Sequence, residues 1–217
     1  MDHERCDPAR EVDAKKKSVA ATERNEEERA AWRQQMNQQE AEGLVFVDEC
    51  GSHIALTPLY ARAPKGERAP GRVPRNRGKN LTLIASLSLE GMGASMMLDG
   101  GVNAPAFEVY VEQLLAPSLR PGQLVVMDNL SAHKGARVQQ LIEDRGCQVL
   151  FLPAYSPDFS PIEETFSKLK AFLRRAGART REALQEAIAQ ALLTVTPQDA
   201  HGWFRHCGYL PPQERQS

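Results

Sequence analysis

The sequence predicts a mixed α/β domain, one central β-sheet flanked by α-helices, with an extra N-terminal helix. Three observations carry this. Short apolar runs rich in β-formers come first, strand-like and helix-like stretches then alternate, and the chain closes on helical periodicity alone. At 217 residues, 41% hydrophobic and 25% charged, the chain suffices for one ordinary domain plus an appendage, and it is too apolar to be wholly disordered.

Residues 1–42 carry eight basic and eleven acidic side chains, few large apolar ones and no glycine. Thr22 to Glu42 reads as a polar helix packing through Ala30, Ala31 and Trp32, a linker or docking helix whose first residues are expected to be disordered. At Gly43 the texture changes. Leu44-Val45-Phe46-Val47 is a short buried strand running into Asp48-Glu49 and then Gly51, and a second strand is expected around His53–Tyr60. Arg62–Lys79, rich in Pro, Gly and Arg, is a loop. Asn80–Leu89 alternates, with Leu81, Leu83, Ala85, Leu87 and Leu89 on one face, and Gly91–Asp99 pairs with it as a hairpin.

Asn103 caps a helix whose Phe107, Val111, Leu114 and Leu115 fall at helical spacing. Leu124–Met127 is another apolar strand, ending at Asp128. A helix over Lys134–Arg145 and a strand over Gln148–Leu152 follow, then helices near Pro161–Arg175, Arg181–Thr194 and Pro197–His206. Residues 43–210 thus form one domain and 211–217 a tail. The late block Trp203-Phe204-Arg205-His206 closes the core, with stacking on nucleobases as the alternative.

Several classes are excluded. No run of about 18 apolar residues is present, so nothing is expected to span a membrane. Met1-Asp2-His3-Glu4-Arg5 is not a secretory signal, which points to the cytoplasm. Cys6, Cys50, Cys147 and Cys207 are scattered, as expected of free thiols in a reducing compartment. Cys50 and His53 have a zinc-like spacing, but no second close pair completes four ligands.

Chemistry concentrates where strands end. Asp48 and Asp128 each follow an apolar strand of four residues, and open α/β sheets bind ligands beyond the carboxyl ends of their strands. Asp after a strand is also ordinary turn chemistry. Leu152–Glu164 (LPAYSPDFSPIEE) is a proline-braced loop feeding a helix. Ser160, Pro161 and Glu163 satisfy a capping box, which accounts for Glu163 without any chemistry. Helical geometry also places Glu163, Ser167, Lys170 and Arg174 on one face, beside an apolar stripe of Ile162, Phe166, Leu169 and Leu173. Three such carboxylates suit a hard divalent cation, and two ions about 4 Å apart can drive in-line phosphoryl transfer.

Leu44–Glu49, the block Val125–Lys134 containing MDNLSAH, and LPAYSPDFSPIEE resemble the signature blocks of DDE transposases. The similarity is to bacterial insertion-sequence members of the mariner superfamily, over roughly Gly43 to Tyr209. The 34 residues between Asp128 and Glu163 match the short spacing of that group. The resemblance implies a ribonuclease H-like catalytic core over 43–210. It implies Asp48, Asp128 and Glu163 as catalytic metal ligands for two Mg²⁺ (or Mn²⁺) ions, with Glu164 as the alternative third ligand. Glu49 competes more weakly for the first position, and Asn129 and His133 are supporting residues. It further implies a DNA transposase: hydrolysis at transposon ends, then transfer of the 3′-hydroxyl into target DNA. Members carry a helix-turn-helix region upstream, and no such two-helix unit fits residues 1–42. The partners implied are double-stranded DNA (terminal inverted repeats and target), a homodimer or synaptic complex, and a separate helix-turn-helix chain. A nuclease without strand transfer and a non-catalytic remnant are the alternatives. The location implied is the bacterial cytoplasm, at the nucleoid when DNA-bound.

The net charge of -1 hides its distribution. Tyr60–Asn80 nets +6 through Arg62, Lys65, Arg68, Arg72, Arg75, Arg77 and Lys79. Thr165–Arg181 nets another +6, with Lys170 and Arg174 nearest Glu163 on its helix face. These are the candidate DNA-binding residues, since Lys and Arg on phosphates supply sequence-independent affinity.

Overall fold

Five strands pair in the order β3-β2-β1-β4-β5 in this computed structural model, which describes residues 22–210. They are β1 (Leu44–Ser52), β2 (Leu81–Ser88), β3 (Gly91–Asp99), β4 (Leu124–Met127) and β5 (Gln148–Phe151). The β1–β2 and β2–β3 pairs are antiparallel, whereas β1–β4 and β4–β5 are parallel. Connections follow from that mixture. Leu89-Glu90 suffices to turn β2 into β3, with Gly91 at φ 107° supplying the left-handed backbone the turn needs. The parallel strands need helical crossovers. The first is α2 (Ala104–Tyr110), one π-helical turn (Val111–Leu115) and α3 (Ala116–Ser118); the second is α4 (Ala136–Glu143).

Helices α5 (Pro161–Ala176), α6 (Arg181–Leu193) and α7 (Pro197–His206) close the chain. The sheet's period of two sorts its side chains into two cores. Leu44, Phe46, Cys50, Leu81, Leu83, Ala85, Leu87, Leu124 and Val126 pack with the α5 stripe of Ile162, Phe166, Leu169 and Leu173. Val45, Val47, Ile84, Val125 and Met127 pack on the other face with Phe107, Val111 and Ile142. Phe204 meets Phe46 edge-on at 5.4 Å and is fully buried, so the late aromatic block closes the core.

Four sequence readings are corrected. β1 has nine residues, because β2 pairs with it from Phe46 through Ser52, well beyond its apolar start. His53–Tyr60 forms no strand. His53 turns the chain instead, and Arg179 Nη1 takes the carbonyls of Ile54 and Leu56 at 3.0 and 2.8 Å. Leu114 is 38% exposed, because the π-turn adds a residue per turn and carries it off the apolar stripe, while Asn103 caps α2 as expected. The N-terminal helix α1 is Glu26–Met36, and its packing face is Arg29, Trp32 and Met36, with Ala30 and Ala31 exposed. Residues 1–21, where disorder was expected, and the tail 211–217 lie outside the described residues.

The capping box that does form is on α7. Thr196 Oγ1 accepts from the Asp199 N–H at 3.2 Å, and Asp199 Oδ2 accepts from the Thr196 N–H at 2.9 Å. Lys168 Nζ lies 2.6 Å from Asp199 Oδ2, and its ammonium and the Thr196 N–H hold that carboxyl down to about 2. Asp199→Asn is expected to cost about 1 kcal/mol at neutral pH. A depressed carboxylate pKa contributes stability that is complete above pH 4 and lost as pH falls towards 2. Wild-type and variant melting temperatures should therefore converge over that interval.

Candidate active site

The β1–β4 ladder ends at the pair Val47↔Met127. The next residue on each strand is an aspartate. Beyond this point β1 continues against β2 alone, so the sheet opens beside Asp48 and Asp128 at one level. Strand parity places both carboxylates on the face of Phe46 and Val126, the face covered by α5. Glu163, in the first turn of α5, comes over the same opening. Asp48, Asp128 and Glu163 line one cavity of about 460 Å³, with Asn129, Leu130, Tyr155, Ser156 and Ser160.

Asp48 is half-buried, and its desolvation pushes the carboxyl up to about 7. The Glu49 N–H, donating to Asp48 Oδ1 at 2.7 Å, opposes this, whereas Glu163 and Asp128 add to it. Asp128 closes an Asx turn, accepting from the Leu130 N–H at 3.1 Å. His133 is fully buried against the Phe107 ring, 4.2 Å between centroids. Its Nε2 lies 2.7 Å from Glu49 Oε1 and its Nδ1 2.6 Å from Asp128 Oδ1, the latter a close contact without hydrogen-bond alignment. Burial favours the neutral ring, but the two carboxylates outweigh it and raise its pKa to about 9. Glu49 therefore points to the other face and braces Asp128 through His133. That link joins residues 84 positions apart and has no local sequence signature.

The capping-box reading of Glu163 is corrected. The Ser160 side chain makes no cap bond; its carbonyl accepts from the Glu163 N–H at 3.1 Å, leaving the Glu163 carboxylate free and exposed. Glu164 turns to the other flank, 3.6 Å from His206 Nε2, outside the cavity.

The donor set is entirely carboxylate oxygen, around a half-buried acid whose charge is resisted by two like neighbours. That chemistry fits a hard divalent cation. Among the described residues, no three His, Cys, Asp or Glu side chains already stand close enough together to hold an ion. Of the zinc-spaced pair, Cys50 is buried beside Lys170, and the His53 ring accepts from the Ala55 N–H at 3.2 Å.

The two basic clusters differ. Arg62, Lys65, Arg68, Arg72, Arg75, Arg77 and Lys79 are all exposed on the irregular stretch 53–80. In the second cluster, Lys168 is held by Asp199, Arg179 by the 54–56 carbonyls and Arg181 by Asp99. Lys170 lies against Cys50 beside the cavity, and Arg174 is half-buried one turn further along.

The sequence model of the DDE superfamily endonucleases matches residues 43–185, from the foot of β1 into α6. This chain belongs to the DDE endonuclease superfamily. The DDE core also superposes on solved structures. A pre-cleavage Mos1 transpososome has a TM-score of 0.65 at 16% identity, covering 92% of this chain and 65% of that one. The mariner Mos1 paired-end complex with Mg gives 0.68 at 18%, covering 91% and 65%. The isolated Mos1 mariner catalytic domain gives 0.59 at 17%, covering 88% and 94%. At these identities the likeness establishes the fold, which is ribonuclease H-like. The DDE chain spans slightly less than two thirds of the Mos1 chains in the transpososome and paired-end complex. No curated protein matches it. Among the described residues, no helix is long and apolar enough to cross a membrane.

Proposed function

We propose that this chain is the catalytic core of a DNA transposase, in which Asp48, Asp128 and Glu163 would hold two Mg²⁺ or Mn²⁺ ions. The observation that carries this is the placement of two strand-end aspartates at one level of the sheet beneath a glutamate freed from its helix cap. When bound, such ions activate a nucleophile and neutralise the charge of the reacting phosphate. The protein's own part is to hold the carboxylates still. The Glu49 N–H fixes Asp48, the Leu130 N–H fixes Asp128, and His133 locks Asp128 to Glu49 from the opposite face. Asn129 reaches the cavity beside Asp128 as a polar contact for substrate. Hydrolysis at an element end would leave a 3′-hydroxyl, which attacks a target phosphodiester in line, forming a new ester bond as the target strand's own 3′-oxygen leaves and takes up a proton. Terminal inverted repeats and target DNA are the substrates, in the bacterial cytoplasm on nucleoid DNA. Bringing two ends together calls for a homodimer or larger synaptic complex, with a separate helix-turn-helix chain supplying end recognition. The Mos1 chains it resembles include a strand transfer complex, which favours joining over hydrolysis alone.

The test is a labelled element end incubated with the chain and its upstream partner in Mg²⁺ or Mn²⁺. Joined products that vanish on chelation are expected. Glu163→Gln should abolish them, while Glu164→Gln retains them. Nicks without joined products would favour a simple nuclease, and equal loss in both variants would overturn the choice of Glu163.

The exposed cations on 53–80, with Lys170 and Arg174, are the proposed backbone-binding surface. If they neutralise six to nine phosphates, the association constant should fall about 10³-fold or more between 50 and 200 mM salt. A flat salt response in a fluorescence anisotropy titration would remove this surface from the scheme.

A further inference from the structure

Tyr155 is the one non-glycine among the described residues with a left-handed backbone, at φ 55°. Its side chain is 58% exposed at the mouth of the acidic cavity. Leu130, on the loop leaving β4, lines the same cavity and is 51% exposed. A tyrosine gains nothing for folding from this arrangement, since its ring stays in water while its backbone is strained. The strain is sustained from outside the residue. Pro153 and Pro157 flank it, and Ser156 Oγ donates to the Ala154 carbonyl at 3.2 Å. Downstream, buried Phe159 carries the Arg29 guanidinium 4.0 Å over its ring, and Arg29 grips Asp158 at 3.0 and 2.6 Å. The backbone that presents the ring is thus braced on both sides, on a cavity lined by three carboxylates that cannot themselves bind a base.

We propose that Tyr155, with Leu130 on the same cavity lining, is a stacking subsite for one unpaired nucleobase next to the reacting phosphate. This rests on the DNA-processing reading above. A phosphate on the cavity floor leaves its neighbouring base at the rim, where the tyrosine and leucine stand. An aromatic face accepts any base, and a base still paired within a duplex could not reach it. The subsite therefore favours DNA frayed or unpaired at the reacting position and is indifferent to which base is presented.

The probe is a duplex with a short single-stranded overhang carrying 2-aminopurine at its first unpaired position. It is titrated with the chain in Ca²⁺ at low salt, so binding is read without turnover. Wild type and Tyr155→Phe should quench the probe. Tyr155→Ala should lose the quench and bind about tenfold more weakly. On the same duplex with an abasic residue at that position, wild type and Tyr155→Ala should bind equally. Tyr155→Gly relieves the left-handed backbone, so it should lose the quench with a melting temperature at or above wild type, which separates the effect from misfolding. Undiminished quenching in Tyr155→Ala, or an equal defect on the abasic duplex, would overturn the subsite and leave the cleavage reading intact. Failure of wild type to bind either duplex would overturn both.

Discussion

Replacing Asp48 by asparagine should abolish metal-dependent strand cleavage while making the metal-free protein harder to unfold. The first effect follows from the charge lost. A ligand that concentrates cation charge on the phosphate is worth several kcal/mol in the transition state, roughly a thousandfold or more in rate. The second follows from linkage. The Asp48 carboxyl is raised to about 7 in the fold, against 3.8 ordinarily, chiefly by burial and then by Glu163 and Asp128. Between those values the unfolded chain has released its proton and the folded one has not. Metal-free stability therefore falls as pH rises from about 4 to 7, by on the order of 2–4 kcal/mol. Asparagine carries no such penalty. Melting temperatures of wild type and Asp48→Asn should coincide near pH 4 and separate by several degrees at pH 8, the variant higher. Mg²⁺ should then raise the wild type at pH 8 and leave the variant unmoved. A variant less stable than wild type at pH 8 without metal would contradict this account of the site.

The second large effect is expected far from the carboxylates. Arg29 is 2% exposed, the largest fully buried side chain among the described residues. Its two terminal nitrogens hold both oxygens of Asp158, and its plane lies over Phe159, so α1 is bolted to the loop that feeds Glu163. Truncating one partner of a buried pair strands the other charge and costs about 3–5 kcal/mol when both are dry. Asp158 is 48% exposed on its side chain, which reduces the expectation to about 2 kcal/mol for Arg29→Ala. Asp158→Asn should be equally or more damaging, because it leaves the buried guanidinium with only the longer 3.5 Å pair to exposed Glu26 as its counter-charge. Urea unfolding measures both, and a double variant less destabilised than the sum would show the coupling directly. An Arg29→Ala protein as stable as wild type would reduce α1 to an ornament.

What was legible in the sequence was whatever leaves a periodic trace. The apolar runs Leu44–Val47 and Leu124–Met127, the alternation of Leu81–Leu89 and the stripe Ile162–Leu173 are written in local order, and each lies in the expected kind of element, the first as the opening of a longer β1. Asp48, Asp128 and Glu163, the proposed metal ligands, stand out because each abuts such a run, and the fold brings all three to one cavity. What depends on distant partners was not legible. β1 outlasts its apolar stretch because β2 pairs with it, and the residues after Gly51 turn because a guanidinium from beyond α5 claims their carbonyls. The apparent capping box at Ser160 has the right letters, but the preceding 3₁₀ turn over Pro157–Phe159 leaves the serine oxygen out of reach of the helix. Arg29 looked like one more charge on a polar helix; its acceptor lies 129 residues away.

The two aspartates are indexed by hydrogen bonds rather than by loops. Val47 and Met127 are neighbours in one ladder, so the gap between the carboxylates following them is a property of the sheet lattice. Slipping either strand by a single residue would turn its acid to the opposite face, where Glu49 and His133 lie. Lengthening both side chains would not restore the alignment. By contrast, the 28 irregular residues between β1 and β2 can lengthen or shorten at little cost to that alignment. Evolutionary drift in this protein is thus channelled: the exposed cationic stretch 53–80, the proposed DNA-binding surface, can be rewritten freely, while β1 and β4 tolerate neither insertion nor deletion ahead of their acids.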